Sequence, residues 1–355
     1  MAKFLIVFIL ILSSHSGSAQ EDLHQYLATH HYSFFLDKGF DETTAQILKQ
    51  KIGNYKLVLQ AEGGSHYLHF YGQLQFLWLQ FLSKNFGLTH FFGESGHSSD
   101  MLLNKYLDTG DTSYIFVADK TFWRSLYHFN SSLPSDKQLR YFGIDFESRR
   151  TYIKGLKLIL PALESPPNIK PFIDLIKNAD DTISDCDYII NINSNLRKAF
   201  IHNANTFSEY LREYYSDFEK IVLNKGNCKD VYKDRNNNMA TNFLSFDKDF
   251  KNNMYYGELG EAHTVLLNKN TASIINGYSD FKDKVCVINL YCYNCTTLQE
   301  TPSNWPLNKI EKDILTYLLP YCLSDFTLFD LSDSPEISKK YGQYGQFLII
   351  AKNQN

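Results

Sequence analysis

Short runs rich in β-branched and aromatic residues alternate with longer helical patterns along the chain. This alternation constrains the fold more than any other feature of the sequence. Residues 55–60, 88–92 and 139–146 have the composition of buried strands. Residues 67–82 and 120–129, which lie between these runs, have the pattern of helices. Alternating strands and helices predict an α/β fold with a mostly parallel sheet flanked by helices.

Residues 151–250 differ from this pattern, because they are richer in charge and asparagine and contain consecutive helical segments. The longest predicted helix covers residues 195–223. We interpret residues 151–250 as a helical insertion that covers the carboxyl edge of the sheet, within a single α/β domain of residues 20–355. Further strands are predicted after the insertion, at 253–257, 271–275, 285–290, 326–329 and 347–350.

Charge and composition restrict the classes of partner. The formal net charge is -4, and the sequence has no basic stripe that would neutralise nucleic acid phosphates. Aromatic residues make up 15% of the chain, enough to line a sizeable pocket. The composition therefore indicates no nucleic acid partner, and the aromatic residues can fill a large core or line a pocket; we predict a small-molecule substrate or ligand.

The N-terminus has the pattern of a secretory signal peptide. Lys3 precedes an unbroken apolar run at 4–12, and the small residues Gly17 and Ala19 precede Gln20. Such a run is too short for a stable membrane anchor. We predict cleavage after residue 19, export to the periplasm or the extracellular space, and no integral membrane segment in the mature chain.

Six cysteines in an exported chain permit disulfides, but the sequence does not define their pairing. Cys292 and Cys295 have CxxC spacing. A zinc site would need a second such pair, and a redox site would need a helix start behind the motif. We therefore favour a structural bridge or free thiols over metal or redox chemistry at this motif.

Ionisable residues recur at the ends of the predicted strands. Ligands bind open α/β sheets beyond the carboxyl ends of the strands, so this recurrence predicts a functional site there. The residues are Glu62, His66, Glu94, His97, Asp145, Glu147, Glu258, Glu261 and His263.

His66 has the local sequence best suited to catalysis. Gly63 and Gly64 permit a tight turn, and Ser65 can cap a following helix. The positive end of a helix dipole would keep the imidazole of His66 neutral. A neutral imidazole beside a carboxylate can act as a general base on water. Hydrogen bonding to a nearby backbone carbonyl is the simpler alternative.

Five segments in the same order resemble the motifs of the erythromycin esterase-like family, which is similar in turn to the haem-binding uptake (Tiki-like) superfamily. They are the turn at 61–66, the strand at 88–94, the strand at 141–145, the run at 235–242 and the strand end at 260–265. Together they span nearly the whole mature chain.

The resemblance implies a metal-independent hydrolase without a cofactor. It assigns His66 as the base that activates water for ester cleavage. Glu94 would orient or charge-balance this histidine, and His263 would assist it. Arg235 would hold an anionic intermediate or a carboxylate, and Glu62 would be the motif glutamate, displaced by one position.

Three positions depart from the family pattern. Gly63 stands where the family has the motif glutamate, Gln75 where it has an arginine, and Asn236 where it has an aspartate. Two alternatives therefore stay open. One is a non-catalytic binding protein for haem or another small molecule. The other is a metal-dependent hydrolase that uses His66, Glu62, Glu94 and His263.

We expect the exported protein to begin near Gln20, because small residues precede this position after the apolar run. N-terminal sequencing of the secreted product measures this directly. An intact Met1 on the exported form would contradict the prediction.

Overall fold

The structure is a computed structural model, which describes residues 24–62, 68, 70–117, 120–225, 229, 234–266, 269–293, 295–296, 302–303, 317–333 and 345–352. The predicted signal peptide at residues 1–19 lies outside these ranges. Among the described helices, none combines the length and the apolarity needed to cross a bilayer.

Eight of the described strands form one sheet in the order β1-β9-β10-β6-β2-β5-β3-β4. Strand β9 is antiparallel to both of its neighbours, whereas the pairs from β10 to β4 are parallel. The carboxyl ends of the parallel strands therefore lie at one edge of the sheet. The strands are β1 His31–Phe34, β2 Leu57–Glu62, β3 His90–Gly93, β4 Arg140–Gly143, β5 Tyr255–Gly260, β6 Val285–Tyr293, β9 Phe326–Asp330 and β10 Phe347–Lys352; β7 Cys295–Thr296 and β8 Pro302–Ser303 form a separate pair.

Helices lie on both faces of the sheet. Residues 24–29 form a short helix, α1. The other helices are α2 Glu42–Ile52, α3 Tyr71–Phe86, α4 His97–Thr109, α5 Lys120–Ser131, α6 Tyr152–Leu158, α7 Lys170–Asn178, α8 Cys186–His202, α9 Ala204–Leu211, α10 Tyr215–Leu223, α11 Arg235–Phe250, α12 Glu261–Thr264 and α13 Thr271–Asn276. The predicted α/β class, with a mostly parallel sheet and a helical insertion, is confirmed.

Successive side chains of the central strands enter two different cores, as the pleat of a strand requires. Val58 and Phe91 pack with α2 to α5 on one face. Leu57 and Phe92 pack with α11 and α13 on the other face. Strands buried on both faces have nearly continuous apolar sequences, which explains why the central strands could be located from the sequence, whereas the edge strand β1 was not predicted.

Two elements differ from the sequence-based prediction. Residues 271–275 were expected to form a strand, but they lie in helix α13, where Ala272 and Ile275 pack into the core beside α11. Tertiary packing outweighs the β propensity of this short segment. The predicted helix at 195–223 is interrupted after α8 and again at Arg212, whose φ of 53° is incompatible with a continuous right-handed helix.

The CxxC motif forms a structural bridge, and two other cysteines are free thiols. Cys292 and Cys295 form a disulfide, and Cys186 is also disulfide-bonded. Cys286 and Cys322 are buried free thiols. Burial raises the pKa of the Cys322 thiol to about 11, so this thiol is protonated and unreactive at neutral pH.

The helical insertion has its own apolar core, formed by α6 to α10, and it packs against α4. Gly155 lets α6 approach α4 closely, because a Cβ atom at this position would lie 2.7 Å from the side chain of Ser98. Since α4 begins directly after β3, this contact places the insertion over the carboxyl edge of the sheet.

His97, the first residue of α4, forms two ion pairs. The pair with Asp217 joins α4 to the insertion. Nδ1 of His97 lies 2.8 Å from Asp100 Oδ2 on α4, and its Nε2 lies 3.0 Å from Asp217 Oδ1 on α10. Burial alone would lower the pKa of His97, but Asp100 and Asp217 raise it to about 10. The imidazolium is therefore the form that connects the insertion to the α/β core.

Replacing His97 with glutamine should destabilise the protein by about 3–5 kcal/mol near pH 6, the usual cost of removing one partner from a buried ion pair. The stabilisation by His97 is complete below its unfolded pKa of 6.5 and is lost as the pH rises to about 10. Urea unfolding of wild type and His97→Gln at pH 6, 8 and 10 measures the difference, which should shrink with rising pH. A difference independent of pH would contradict the assignment.

Candidate active site at the carboxyl edge

Three neighbouring strands bring ionisable residues together at the carboxyl edge of the sheet. Glu94 directly follows β3, and Asp145 lies two residues after β4. His263 lies on the short helix α12, which begins where β5 ends. Arg235 is the first residue of α11, at the end of the helical insertion. These four side chains form a cluster that we call the Arg235 cluster.

Arg235 binds two carboxylates at once. Its Nε lies 3.2 Å from Asp145 Oδ1, and its Nη2 lies 2.7 Å from Glu94 Oε2. Nη2 also donates to Asp145 Oδ2, so the contact with Asp145 is bidentate. Burial alone would lower the pKa of Arg235, but its hydrogen bonds and ion pairs with Asp145 and Glu94 raise it. Of the alternatives raised by the sequence, a carboxylate is thus what the guanidinium holds in this structure.

Glu94 is fixed on both of its oxygens. The backbone N–H of Gly260, the last residue of β5, donates to Oε1 at 2.5 Å, while Oε2 accepts from Arg235. This carboxylate therefore connects the end of β3 to the end of β5 as well as to α11. Its Oε2 also lies 3.9 Å from Nε2 of His263.

The contacts of His263 define its tautomer. Arg235 Nη1 can only donate, so Nε2 of His263 accepts its hydrogen at 3.2 Å. Nδ1 then carries the ring hydrogen and donates to Oδ1 of Asn236 at 2.6 Å. Thr271 Oγ1 donates to the same Asn236 oxygen at 2.9 Å, which holds the amide in this orientation.

A second set of contacts secures the loop after β4 to the insertion. Asn224, which follows α10, donates to the backbone carbonyl of Asp145 and to Oε1 of Glu147. Glu147 also accepts from the backbone N–H groups of His97 and Ser98, at the N-terminus of α4. A carboxylate at this position offsets the helix dipole and satisfies two otherwise unpaired donors.

A cavity of about 920 Å³ adjoins the cluster. Glu94 lies on its wall, together with Glu62 at the end of β2 and Glu258 within β5. Gln75, one of the three departures from the family pattern, also lines the cavity, from helix α3. Glu258 Oε1 accepts a hydrogen bond of 3.0 Å from Gln60 Nε2, which fixes this carboxylate against β2.

The site residues predicted from the sequence thus divide into three groups. Glu94, Arg235 and His263 lie together in the Arg235 cluster. Glu62 lies on the wall of the adjoining cavity. His66 lies outside the described residues, as does Gly63.

From the sequence, Asp145 is a strand-end acid, but it is not one of the predicted site residues. Its position after β4, next to β3 in the sheet, was the signal that could have identified it. Asn224 carried no such signal, because an asparagine after a surface helix usually contacts water or a nearby turn.

The described residues contain no group of three or more histidine, cysteine, aspartate or glutamate side chains arranged to hold a metal ion. The metal-dependent alternative named His66, which is not described. An activity assay with and without a chelator distinguishes the two hydrolase mechanisms.

Comparison with known proteins gives a fold but no sequence family. No protein-family model matches the chain, and no protein with a curated description does. In contrast, several solved structures match over nearly the full length. An erythromycin esterase, a histidine-to-asparagine variant of EreC in its open conformation, aligns with a TM-score of 0.62 and 12% identity over 89% of this chain and 94% of that one.

Two further structures have the same architecture. A succinoglycan biosynthesis protein aligns with a TM-score of 0.66 and 13% identity, and a Bacillus cereus protein with a TM-score of 0.64 and 14% identity. Each alignment covers 94% of this chain and 97% of the other. The resemblance to the erythromycin esterase-like family that the sequence predicts is therefore confirmed at the level of the fold.

The contact between His263 and Asn236 leads to a prediction about charge. Replacing Asn236 with aspartate places a negative charge beside Nδ1 and should raise the pKa of His263 by about one unit or more. A pH titration of the histidine ring nitrogens by NMR measures the change. Asn236→Ala, which removes the acceptor without adding charge, is the control. An unchanged or lowered pKa in Asn236→Asp would contradict the contact.

Proposed function

We propose that this protein is an exported, metal-independent hydrolase of the erythromycin esterase-like type, which cleaves a carboxylic ester or a related bond. One observation carries the proposal. Arg235 joins carboxylates from the ends of two neighbouring strands to the imidazole of His263, beside a cavity large enough for a drug-sized molecule. Ion pairs this well connected, at the place where α/β sheets bind ligands, are typical of functional sites.

In this mechanism His66 takes a proton from water, and the resulting hydroxide adds to the carbonyl carbon of the ester to give a tetrahedral intermediate. The intermediate then collapses with cleavage of the C–O bond to the alcohol, and the leaving oxygen takes the proton back from His66. Support for this role comes from the sequence order. His66 follows the end of β2 by four residues, and β2 pairs with β5, whose end leads to His263. The family resemblance assigns the same role to this histidine.

Arg235, with His263 beside it, would then stabilise the charge that develops on the carbonyl oxygen through its own N–H groups. Nε and Nη2 of Arg235 are committed to Asp145 and Glu94, whereas Nη1 donates one hydrogen to His263. Among the described contacts, the second Nη1 hydrogen remains for a substrate oxygen. A donor held in place before the reaction stabilises an oxyanion at little reorganisation cost.

The shared fold supports this type of chemistry. One of the structures with the same architecture is an erythromycin esterase. Because a fold hosts many functions, we extend from it only the reaction type and not its substrate.

A second candidate is ligand binding without catalysis. Two neutral side chains favour it, Gln75 on the cavity wall and Asn236 beside His263, since the family has charged residues at both positions. Haem is the ligand proposed from the sequence, and a haem titration tests whether it binds.

A panel of short-chain aryl esters, assayed with the purified mature protein, tests the proposal. Hydrolysis that a chelator leaves unchanged supports it. Loss of activity in chelator with recovery on adding zinc would support the metal-dependent mechanism instead. No turnover of any ester, together with saturable binding in a haem titration, would support the binding function.

We expect His66→Ala to abolish hydrolysis, because it removes the proposed base. His263→Ala should reduce kcat less, by about 10²–10⁴-fold, as is usual for an assisting group in acid–base catalysis. Glu62→Gln should have the smallest effect of the three, since its position is displaced from that of the motif glutamate. Steady-state kinetics on the best aryl ester measures all three variants.

His202→Ala is the matched control, since His202 is exposed on the helical insertion and contacts only its own helix among the described residues. It should retain wild-type kcat. Thermal melting of each variant verifies that the fold is intact. Full activity in a folded His66→Ala protein would exclude His66 as the base.

A further inference from the structure

A second, smaller cavity lies where the helical insertion meets the α/β core. Its volume is about 350 Å³, which is within the range of small-molecule sites. Helix α6 forms one side, and helix α4 with the turn after it forms the other. The close contact of Gly155 with Ser98 holds α6 against α4, so both sides are in place without a ligand. The lining residues are Leu102, Ser113, Tyr114, Phe116, Lys154, Lys157, Leu158 and Asp181.

The charged side chains of the smaller cavity have an excess of positive charge. Lys154 and Lys157 are three residues apart on α6, a spacing that places them side by side on the helix. Nζ of Lys157 donates to the carbonyl of Ala179 at 2.8 Å and lies 3.7 Å from Asp181 Oδ2. Lys154 is exposed and has no ion-pair partner within the described part of the chain. Two lysines and one aspartate therefore leave a positive charge that a ligand can neutralise.

The uncharged part of the lining is mainly apolar. Leu102 is almost fully buried, and Phe116 and Leu158 are partly buried. Burying such surface against the apolar body of a ligand is favourable, whereas an inorganic anion would gain nothing from it. Tyr114 contributes an aromatic ring and a hydroxyl that can donate to an anion. The lining therefore matches a molecule with one anionic end and an apolar body.

We propose that the smaller cavity is a binding site for a small organic carboxylate with an apolar body, such as an arylalkanoate. The carboxylate would lie between Lys154 and Lys157, and the apolar body would contact Leu102 and Phe116. Among the described residues, the lining includes no member of the Arg235 cluster, so this site is distinct from the candidate active site. Phe116 also lines the larger cavity beside that cluster, which makes the two cavities neighbours.

Three probes of nearly equal size test the charge preference. They are 3-phenylpropionate, which is anionic at neutral pH, 3-phenylpropanol, which is neutral, and 3-phenylpropylamine, which is cationic. Isothermal titration calorimetry on the full mature protein measures their affinities at low ionic strength. We expect the anion to bind about fivefold more tightly than the alcohol, as a good ion pair within reach of solvent provides, and the cation to bind most weakly. The preference should shrink in about 1 M salt, which screens such pairs.

Variants locate this preference in the smaller cavity. Lys154→Gln removes the positive charge of an exposed side chain and should remove most of the difference between anion and alcohol. Lys120→Gln is the matched control, because it changes the net charge equally on the wall of the larger cavity, and it should leave the difference unchanged. Asp181→Asn removes the acidic side chain of the described lining and should strengthen binding of the anion by about two- to threefold, a gain that misfolding cannot produce. Thermal melting verifies the fold of each variant.

A preference for the anion that Lys154→Gln removes and Lys120→Gln retains would support the site. Equal affinity for the three probes, or no binding of the anion at millimolar concentration, would overturn it. A preference that Lys120→Gln removes and Lys154→Gln retains would place the anion in the larger cavity and also reject the proposal. Weakened binding of the anion in folded Asp181→Asn protein would contradict it as well. These titrations need no turnover, so their result is independent of the ester assays that test the proposed function.

Discussion

The ion pairs of Arg235 are the interaction on which the site depends. Transferring a guanidinium or a carboxylate out of water is expensive unless each charge finds a partner with good geometry. Asp145 is almost fully buried, and Arg235 supplies its counter-charge through a bidentate contact. Glu94 uses its second oxygen to accept from the backbone of β5. The ends of β3, β4 and β5 and the start of α11 thus form one charged unit, and removing Arg235 would leave both carboxylates without their counter-charge.

The helical insertion joins this unit from two sides. On one side α11 begins with Arg235, and on the other His97 of α4 contacts Asp217 of α10. Asn224 adds a polar contact to the loop after β4. The insertion is therefore attached to the carboxyl edge by polar contacts as well as by apolar packing, since α11 contributes Met239 and Phe243 to the core of the sheet while α6 to α10 have a core of their own. Polar contacts define a position more sharply than apolar burial does, because they depend on distance and angle.

Much of this arrangement could be predicted from the sequence, since buried parallel strands have continuous apolar runs and their ends carry the polar residues. Glu94 and His263 were identified in this way, and Arg235 through the resemblance to the family motif. The predictions that were wrong or missing have physical reasons. Residues 271–275 are too few to separate helix from strand by periodicity. The partners of Arg235 lie 90 and 141 residues away, so their pairing follows from tertiary structure alone. The sequence of α3, apolar on nearly every side, did not reveal that Gln75 faces a cavity.

The contrast in solvent access between the Arg235 cluster and the cavity has a consequence for ionic strength. Salt screens charges that solvent reaches, over a Debye length of about 8 Å at physiological concentration, and screens buried pairs much less. The ion pairs of Arg235 are mostly removed from solvent, with 19% of its side chain and 4% of that of Asp145 exposed. Glu62 and Glu258 on the cavity wall are partly exposed. Under the proposed function, added salt would therefore screen the cavity carboxylates more than the Arg235 cluster, so that KM would respond to ionic strength more than kcat.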